Sequence, residues 1–213
     1  MTGLILKDLY TMKKTLIYLV AVVVLFTAIY SSAGDSHFSD FFVSIMVVSI
    51  LISTMSYDEF YHWDRYAAIL PLSRRRIVGA KYLTALLFFG MGGLISLGIS
   101  VAVQLFQGRG FFMDDLALVA IGPLVGMLGA AVILPCYYRF GAQKSRFVML
   151  AFYGIPSILL VLALRFAPES LNNVPEIEIT PAGIALAGAA LTAAAMAVSF
   201  LVSVRILERK ELK

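Results

Sequence analysis

The sequence predicts an all-α membrane protein with six transmembrane helices and with both termini in the cytoplasm. Three observations carry this prediction: the composition, six long apolar runs and the placement of the basic residues. The chain is 61% hydrophobic and 14% charged, whereas a soluble domain is about 45–50% apolar and about 25% charged. A chain this apolar cannot cover its surface with polar groups in water, so a bilayer is its natural solvent.

Six apolar runs contain no acidic residue, basic residue or histidine. They are Thr15–Ala33, Phe41–Met55, Tyr82–Phe106, Leu116–Tyr138, Phe147–Leu164 and Ala182–Val204. A spanning helix needs roughly 20 apolar residues, so the second run must extend into its flanks, and the long third run tilts or begins at the interface. Lipid leaves free backbone groups unsatisfied, so the spans must be helical. We expect one transmembrane domain over residues 1–213.

The basic residues set the orientation. Of the 17 lysines and arginines, all but Arg109 and Arg165 fall in segments that are cytoplasmic when the N-terminus is inside. The positive-inside rule therefore places both termini and the loops 56–81 and 139–146 in the cytoplasm. This asymmetry also accounts for the net charge of +4 without nucleic acid as a partner.

Residues 1–14 have the pattern of an amphipathic helix at the membrane surface. Apolar side chains recur on one face, with lysines on another; the apolar residues are Ile5, Leu9 and Met12, and the polar ones Lys7, Thr11 and Lys14. The alternative is an ordinary charged lead-in to the first span. A second alternative is a signal peptide cleaved after residues 31–33, although the apolar run is at or beyond the usual length of about 15 residues.

Small residues recur at a spacing of four in two of the runs. Gly122, Gly126 and Ala130 form one stripe; Ala185, Ala189, Ala193 and Ala197 form the other. Such stripes allow close approach of helix backbones. We expect both to pack within one subunit, the alternative being a contact between subunits.

The sequence offers no catalytic chemistry. No glycine-rich phosphate loop precedes a lysine and serine, and the two histidines, His37 and His62, are predicted on opposite sides of the membrane, where they cannot share a metal. We therefore expect a chain that is not an enzyme and binds no metal or cofactor. An ion-coupled carrier usually needs an ionisable group at membrane depth, and the six runs have none.

The loop between the second and third spans is too polar for the membrane and too long for a tight turn. Phe60, Trp63 and Ala67 recur at helical spacing. Pro71 would end that helix, and Ser73 would cap the next one. The pattern predicts a short cytoplasmic helix that presents aromatic and acidic groups to a partner. The alternative is an aromatic belt at the membrane interface.

Both cytoplasmic loops carry motifs that resemble one family. The first loop reads Asp58-Glu59, Trp63-Asp64-Arg65-Tyr66, Leu70-Pro71, Ser73-Arg74, Ile77-Val78 and Lys81-Tyr82; the second reads Leu134-Pro135, Tyr138-Arg139-Phe140-Gly141, Lys144 and Arg146. Together with the opening around Lys7-Asp8, these resemble the type-2 ABC export permeases, in the small six-span bacterial branch. The chain departs from that pattern at Arg75-Arg76, where we expect a basic residue followed by an acidic one.

The resemblance implies the permease subunit of an ATP-powered exporter in the bacterial plasma membrane. A separate ABC ATP-binding subunit would hold ATP and magnesium, and a second permease copy would complete the transporter as a homodimer. The coupling helix would contact the ATPase through Asp58, Glu59, Trp63, Asp64, Arg65 and Tyr66, with secondary contacts from Phe140, Lys144 and Arg146.

Cargo is the least specific part of this interpretation. An uncharged, aromatic pathway suits a hydrophobic or amphipathic cargo, and the branch that exports phenol-soluble modulins is similar; related permeases export antibiotics and bacteriocins. Two other classes stay open: an ion-coupled carrier or channel, and a membrane scaffold that transports nothing.

Overall fold

The computed structural model describes residues 2–31, 37–63, 66–67, 73–108, 110, 113–166 and 180–209. Six long helices occupy these ranges: α1 Thr2–Ser31, α2 His37–Phe60, α3 Arg74–Phe106, α4 Met113–Phe140, α5 Ala142–Phe166 and α6 Pro181–Arg209. No strand occurs within the described ranges, which confirms the all-α prediction for them.

Five helices in the described part of the chain are long and apolar enough to cross a membrane. They comprise Phe42–Phe60, Arg74–Phe106, Asp115–Phe140, Ala142–Ala163 and Pro181–Arg209. These segments contain the predicted second to sixth spans almost entirely. The predicted first span, Thr15–Ala33, lies in α1 and continues past the described residues, so the sixth crossing stays a prediction.

Helix α1 runs without a break from Thr2 to Ser31. Residues 2–14 are therefore continuous with the predicted first span, and the orientation of residues 1–14 along the membrane surface stays a prediction. The face of this segment is now defined, because Asp8 and Met12 are buried while Lys13 and Lys14 are exposed. Helix α1 packs on α2 and α3.

Helix α4 lies at the centre of the bundle and contacts α2, α3, α5 and α6. Its close approach to α3 requires Gly126, since a Cβ atom there would overlap the ring of Phe89. Helix α3 approaches α2 in the same way at Gly92, where an added Cβ would lie 2.8 Å from a methyl group of Val47. The glycine stripe of α4 therefore packs within the chain, as predicted.

The alanine stripe of α6 differs from the prediction. Ala189, Ala193 and Ala197 are exposed. The buried face of α6 instead carries polar side chains, among them Thr192, Ser199 and Ser203. The expectation that these alanines pack within the subunit is wrong, because hydroxyl groups that hydrogen-bond to other helices occupy that face.

A hydroxyl cluster joins three helices. The Oη atom of Tyr82 in α3 lies 2.6 Å from Ser199 Oγ and 2.8 Å from Ser203 Oγ of α6. Ser199 also donates a hydrogen bond to the backbone carbonyl of Ala131 in α4. Hydroxyl groups in a membrane must find partners inside the protein, and this cluster satisfies three of them.

Six helix ends meet at one end of the bundle, which we call the charged end. Polar contacts link the start of α1 and the end of α2, the start of α3, and the start of α5. The Arg74 guanidinium of α3 donates to the carbonyl of Leu207 near the end of α6, and α4 ends where α5 begins. The segments predicted to be cytoplasmic thus share one end; which side of a membrane it faces stays a prediction.

Candidate functional site

The first predicted cytoplasmic loop begins with a sharp reversal of the chain. Helix α2 ends at Phe60, and the next amides donate back to it, from Tyr61 to the Tyr57 carbonyl and from His62 to the Glu59 carbonyl. His62 has a φ of 51°, a left-handed conformation that non-glycine residues rarely adopt. This residue stops α2 and turns Trp63 back toward the bundle.

Asp58, in the last turn of α2, is part of an intramolecular ring of four charges. Its two oxygens lie 2.5 Å from Lys7 Nζ and 2.6 Å from Lys81 Nζ. Asp8 closes the ring, at 3.0 Å from Lys81 Nζ and 3.3 Å from Lys7 Nζ. We call Lys7, Asp8, Asp58 and Lys81 the ion-pair ring; each lysine contacts both aspartates, and each aspartate contacts both lysines.

The ion-pair ring is buried. The side chains of Asp8, Asp58 and Lys81 are 4%, 8% and 9% exposed, and that of Lys7 is 27% exposed. Thr84 donates a further hydrogen bond to Asp8 at 3.3 Å. Charges removed from water are tolerated when they are paired and hydrogen-bonded. The ring meets this condition with equal numbers of each charge, and it joins α1, α2 and α3.

Trp63 packs against the same ring. Lys7 Nζ lies 4.2 Å from the centre of its indole ring, within range of a cation–π interaction. Trp63 also lines a small cavity of about 20 Å³ with Asp58, Lys81 and Tyr138. The indole is therefore directed toward the bundle and is partly buried there.

Glu59 connects α2 to the second predicted cytoplasmic loop. Its carboxylate accepts a hydrogen bond of 2.8 Å from the backbone amide of Ala142, the first residue of α5. A carboxylate in this position satisfies a free helix amide and interacts favourably with the helix dipole. Gly141 is needed here because its φ is 88° and because an added Cβ would lie 3.1 Å from Glu59 Oε1.

A set of aromatic side chains faces outward beside these inward contacts. Tyr57 stacks on Tyr61, and Phe60 meets the Tyr61 ring edge-on. Phe60 and Tyr61 are 75% and 64% exposed. We call these three residues the aromatic patch. Tyr66 is likewise 64% exposed.

The secondary-contact residues of the second loop also lie at the charged end. Phe140 is 51% exposed, and the charged groups of Arg139 and Lys144 lie 5.1 and 5.9 Å from the centre of its ring. Arg146 is exposed and donates to Ser56 Oγ at 3.1 Å. The structure therefore brings the two predicted cytoplasmic loops into contact. Asp64 and Arg65, the two other predicted contact residues, lie outside the described residues.

Sequence reasoning missed the ion-pair ring. It identified Asp58 as a contact for a partner, and it assigned Lys7 and Lys81 to membrane orientation, to the amphipathic pattern and to the family motifs, without pairing them. A signal was available, because two aspartates and two lysines sit at the same predicted end of three apolar helices. Their pairing nevertheless needs the helix packing, since the partners are 51 and 73 residues apart.

The described residues contain no group of three or more His, Cys, Asp and Glu side chains that could hold a metal ion. The charges at the site pair with one another, so the arrangement binds and positions helices.

Comparison with known proteins supplies a family. The family model described as "ABC-2 family transporter protein" matches residues 3–208, nearly the whole chain. No curated protein and no solved structure matches it.

Proposed function

The chain belongs to the ABC-2 family of transporter proteins, and from this premise we propose that it is the permease subunit of an ATP-powered exporter. It moves a hydrophobic or amphipathic cargo outward across the plasma membrane, driven by a separate ATP-binding subunit. The observation that carries the proposal is the family match over residues 3–208. Five apolar membrane helices in the described residues support it.

The ATPase docks, in this proposal, on the segment Asp58–Tyr66. The aromatic patch and Tyr66 supply the exposed surface, since aromatic side chains are enriched at the buried centres of interfaces. Asp58 and Trp63 contribute to docking indirectly. The Asp58 side chain is part of the ion-pair ring, and the Trp63 side chain packs on Lys7. Phe140 and Lys144 extend the docking surface from the second loop, and Asp64 and Arg65 are proposed contacts from the same segment.

Two apolar grooves on the membrane helices support an apolar or amphipathic cargo. One of about 480 Å³ lies along α4 and α5 and includes Phe152 and Pro156. The other, of about 580 Å³, lies among α4, α5 and α6 and includes Leu128 and Val198. Amphipathic peptides, such as cytolytic or antimicrobial peptides, fit such surfaces best, and apolar antibiotics are the second class.

A second copy of the chain completes the proposed transporter. The exposed alanine stripe of α6 supports this, because small side chains allow another helix to approach closely in a membrane. The two permease copies and two ATPases then form one unit, in which closure of the ATPases on ATP rocks the helix bundles.

Reconstitution tests the proposal. The chain is co-expressed with an ABC ATPase from the same genome, purified and placed in liposomes with a labelled amphipathic helical peptide. We expect co-purification, peptide-stimulated ATP hydrolysis and peptide movement that requires ATP. Uphill transport by the chain alone, with no nucleotide, would instead identify an ion-coupled carrier. ATPase binding with no movement of any amphipathic or apolar cargo would identify a scaffold.

The docking surface is tested by comparing two exposed phenylalanines. Phe60→Ala removes an aromatic side chain from the patch, and we expect it to weaken ATPase binding by about 2 kcal/mol. Phe106→Ala is the matched control, since Phe106 is 93% exposed at the opposite end of α3 from Lys81. Equal ATPase binding by both variants would assign the patch to the membrane interface.

A further inference from the structure

The last turn of α2 makes polar contacts in two directions, of which those of Asp58 are buried. Asp58 contacts Lys7 of α1 and Lys81 of α3, and its neighbour Glu59 contacts the first amide of α5. The aromatic patch extends outward from the same turn. A movement imposed on this surface therefore acts on a segment that is already attached to three other helices.

The ion-pair ring resists rearrangement for an electrostatic reason. Each charge has two opposite partners, and separation of one helix would leave buried charges without a partner, which is strongly unfavourable. The adjoining cavity of about 20 Å³ has space for a single water molecule. Apart from the partly exposed Lys7, the charges of the ring have no solvent, and no space beyond that one water, to replace a lost partner, so we expect the three helices to move together.

We propose that the ion-pair ring, with Trp63 packed on Lys7, is the joint that transmits movement of the docking segment to α1 and α3. This inference rests on the proposed function and adds a division of labour to it. The aromatic patch binds the ATPase, whereas Lys7, Asp8, Asp58, Trp63 and Lys81 are positioning residues that convert its movement into a change of the membrane helices.

Besides Asp58, which is itself part of the ring, Trp63 is the residue of the docking segment that contacts the ring. Its ring lies over Lys7, while Tyr61, two residues before it, is part of the exposed patch. A push on the patch is thus delivered to Lys7 through a rigid aromatic side chain. Replacement of Trp63 should leave the ATPase bound and reduce transport.

The experiment separates transmission from folding with a double variant. Asp8→Asn alone leaves Lys81 with one partner fewer and is expected to lower the melting temperature. Asp8→Asn combined with Lys81→Met removes one charge of each sign, leaves Lys7 paired with Asp58, and should recover most of that loss. The double variant no longer has an ion pair between α3 and either α1 or α2.

Three quantities are measured in liposomes with the ATPase: ATPase binding, ATP hydrolysis, and peptide transported per ATP hydrolysed. For the double variant and for Trp63→Leu we expect unchanged ATPase binding and a fall of about tenfold in peptide per ATP. Arg75→Ala is the control, because it removes an exposed ion pair beside the same loop.

The outcomes distinguish the two proposals. If the double variant recovers its melting temperature and also transports the normal amount of peptide per ATP, the ring is structural only and the inference is overturned. If the double variant and Trp63→Leu lose ATPase binding, these residues belong to the docking surface and the inference is likewise wrong. If the unaltered chain binds no ATPase, the proposed function itself fails.

Discussion

Two sets of opposite charges at the charged end differ in burial. The four side chains of the ion-pair ring are between 4% and 27% exposed, and they join three helices. Arg75 and Glu208 join α3 to α6 at 3.6 Å, but their side chains are 76% and 46% exposed. In the exposed pair, water screens the attraction between the two charges. In the buried ring, loss of one partner would leave a buried charge without compensation. Burial therefore decides which charges constrain the helices.

The variant with the largest expected effect removes one buried charge. Asp8→Asn keeps the size of the side chain and leaves two lysines sharing Asp58. We expect a loss of about 3–5 kcal/mol in the free energy of unfolding, the usual cost of breaking a buried pair. Unfolding by SDS in mixed micelles measures it. A loss below about 1 kcal/mol, the range of exposed pairs, would remove the distinction between the two sets.

A second test concerns the junction of the two predicted cytoplasmic loops. Gly141→Ala places a Cβ on a left-handed backbone and against Glu59, so we expect a loss of about 1–2 kcal/mol or more. Gly98→Ala is the matched control, because Gly98 lies within helix α3 with no atom within 4 Å of an added Cβ. That control should stabilise the protein by about 0.5–1 kcal/mol. If both variants change the free energy of unfolding in the same direction, Gly141 is not required at the junction of the two loops.

The uncharged hydroxyl cluster provides an intermediate case. Tyr82→Phe removes the hydroxyl shared by Ser199 and Ser203 without changing the size of the ring. We expect a loss of about 1 kcal/mol, typical of a hydrogen bond between membrane helices. Tyr18→Phe, at an exposed position of α1, should leave the melting temperature unchanged. If Tyr82→Phe lowered the free energy of unfolding by more than Asp8→Asn does, the hydroxyl cluster and not the ion-pair ring would be the stronger link between helices.

The smallest effect belongs to the exposed pair. Arg75→Ala should change the free energy of unfolding by less than about 1 kcal/mol. The difference should shrink further as salt is raised, because screening acts on charges in water. Measurement of both Arg75→Ala and Asp8→Asn at low and high salt sharpens the comparison. The Asp8→Asn loss should persist at high salt.

The membrane helices could be predicted from the sequence, and their packing faces could not. A long run without charged residues is enough to predict a membrane span. The predicted second to sixth runs lie within the observed apolar helices except for short ends. The buried face of α6 was predicted from alanine spacing, yet Ser199 and Ser203 are among the residues buried there. Small size permits contact on either face, whereas a hydroxyl with a partner on another helix selects one.

The location of the candidate site stays a prediction, but the structure shows which way two of its side chains are directed. Asp58 and Trp63 were predicted to face a partner because they lie in a polar loop motif, whereas their side chains contact Lys7. The reversal at His62 was not predicted, because a positive φ is uncommon for any residue other than glycine, although histidine is among those that adopt it more often. Phe60 and Tyr61, which were not among the predicted contact residues, are exposed beside them, and their part in docking stays a proposal.

The ring also sets an order of events during synthesis. Lys7 and Asp8 leave the ribosome first, but Asp58 follows Lys7 by 51 residues and Lys81 follows Asp8 by 73. The start of α1, here called the opening helix, can therefore pair with Asp58 once α2 is made, but it lacks its contact with Lys81 until the third helix enters the translocon. Truncated nascent chains that stop before Lys81 should leave this opening helix accessible to protease, and chains extended through the third helix should protect it.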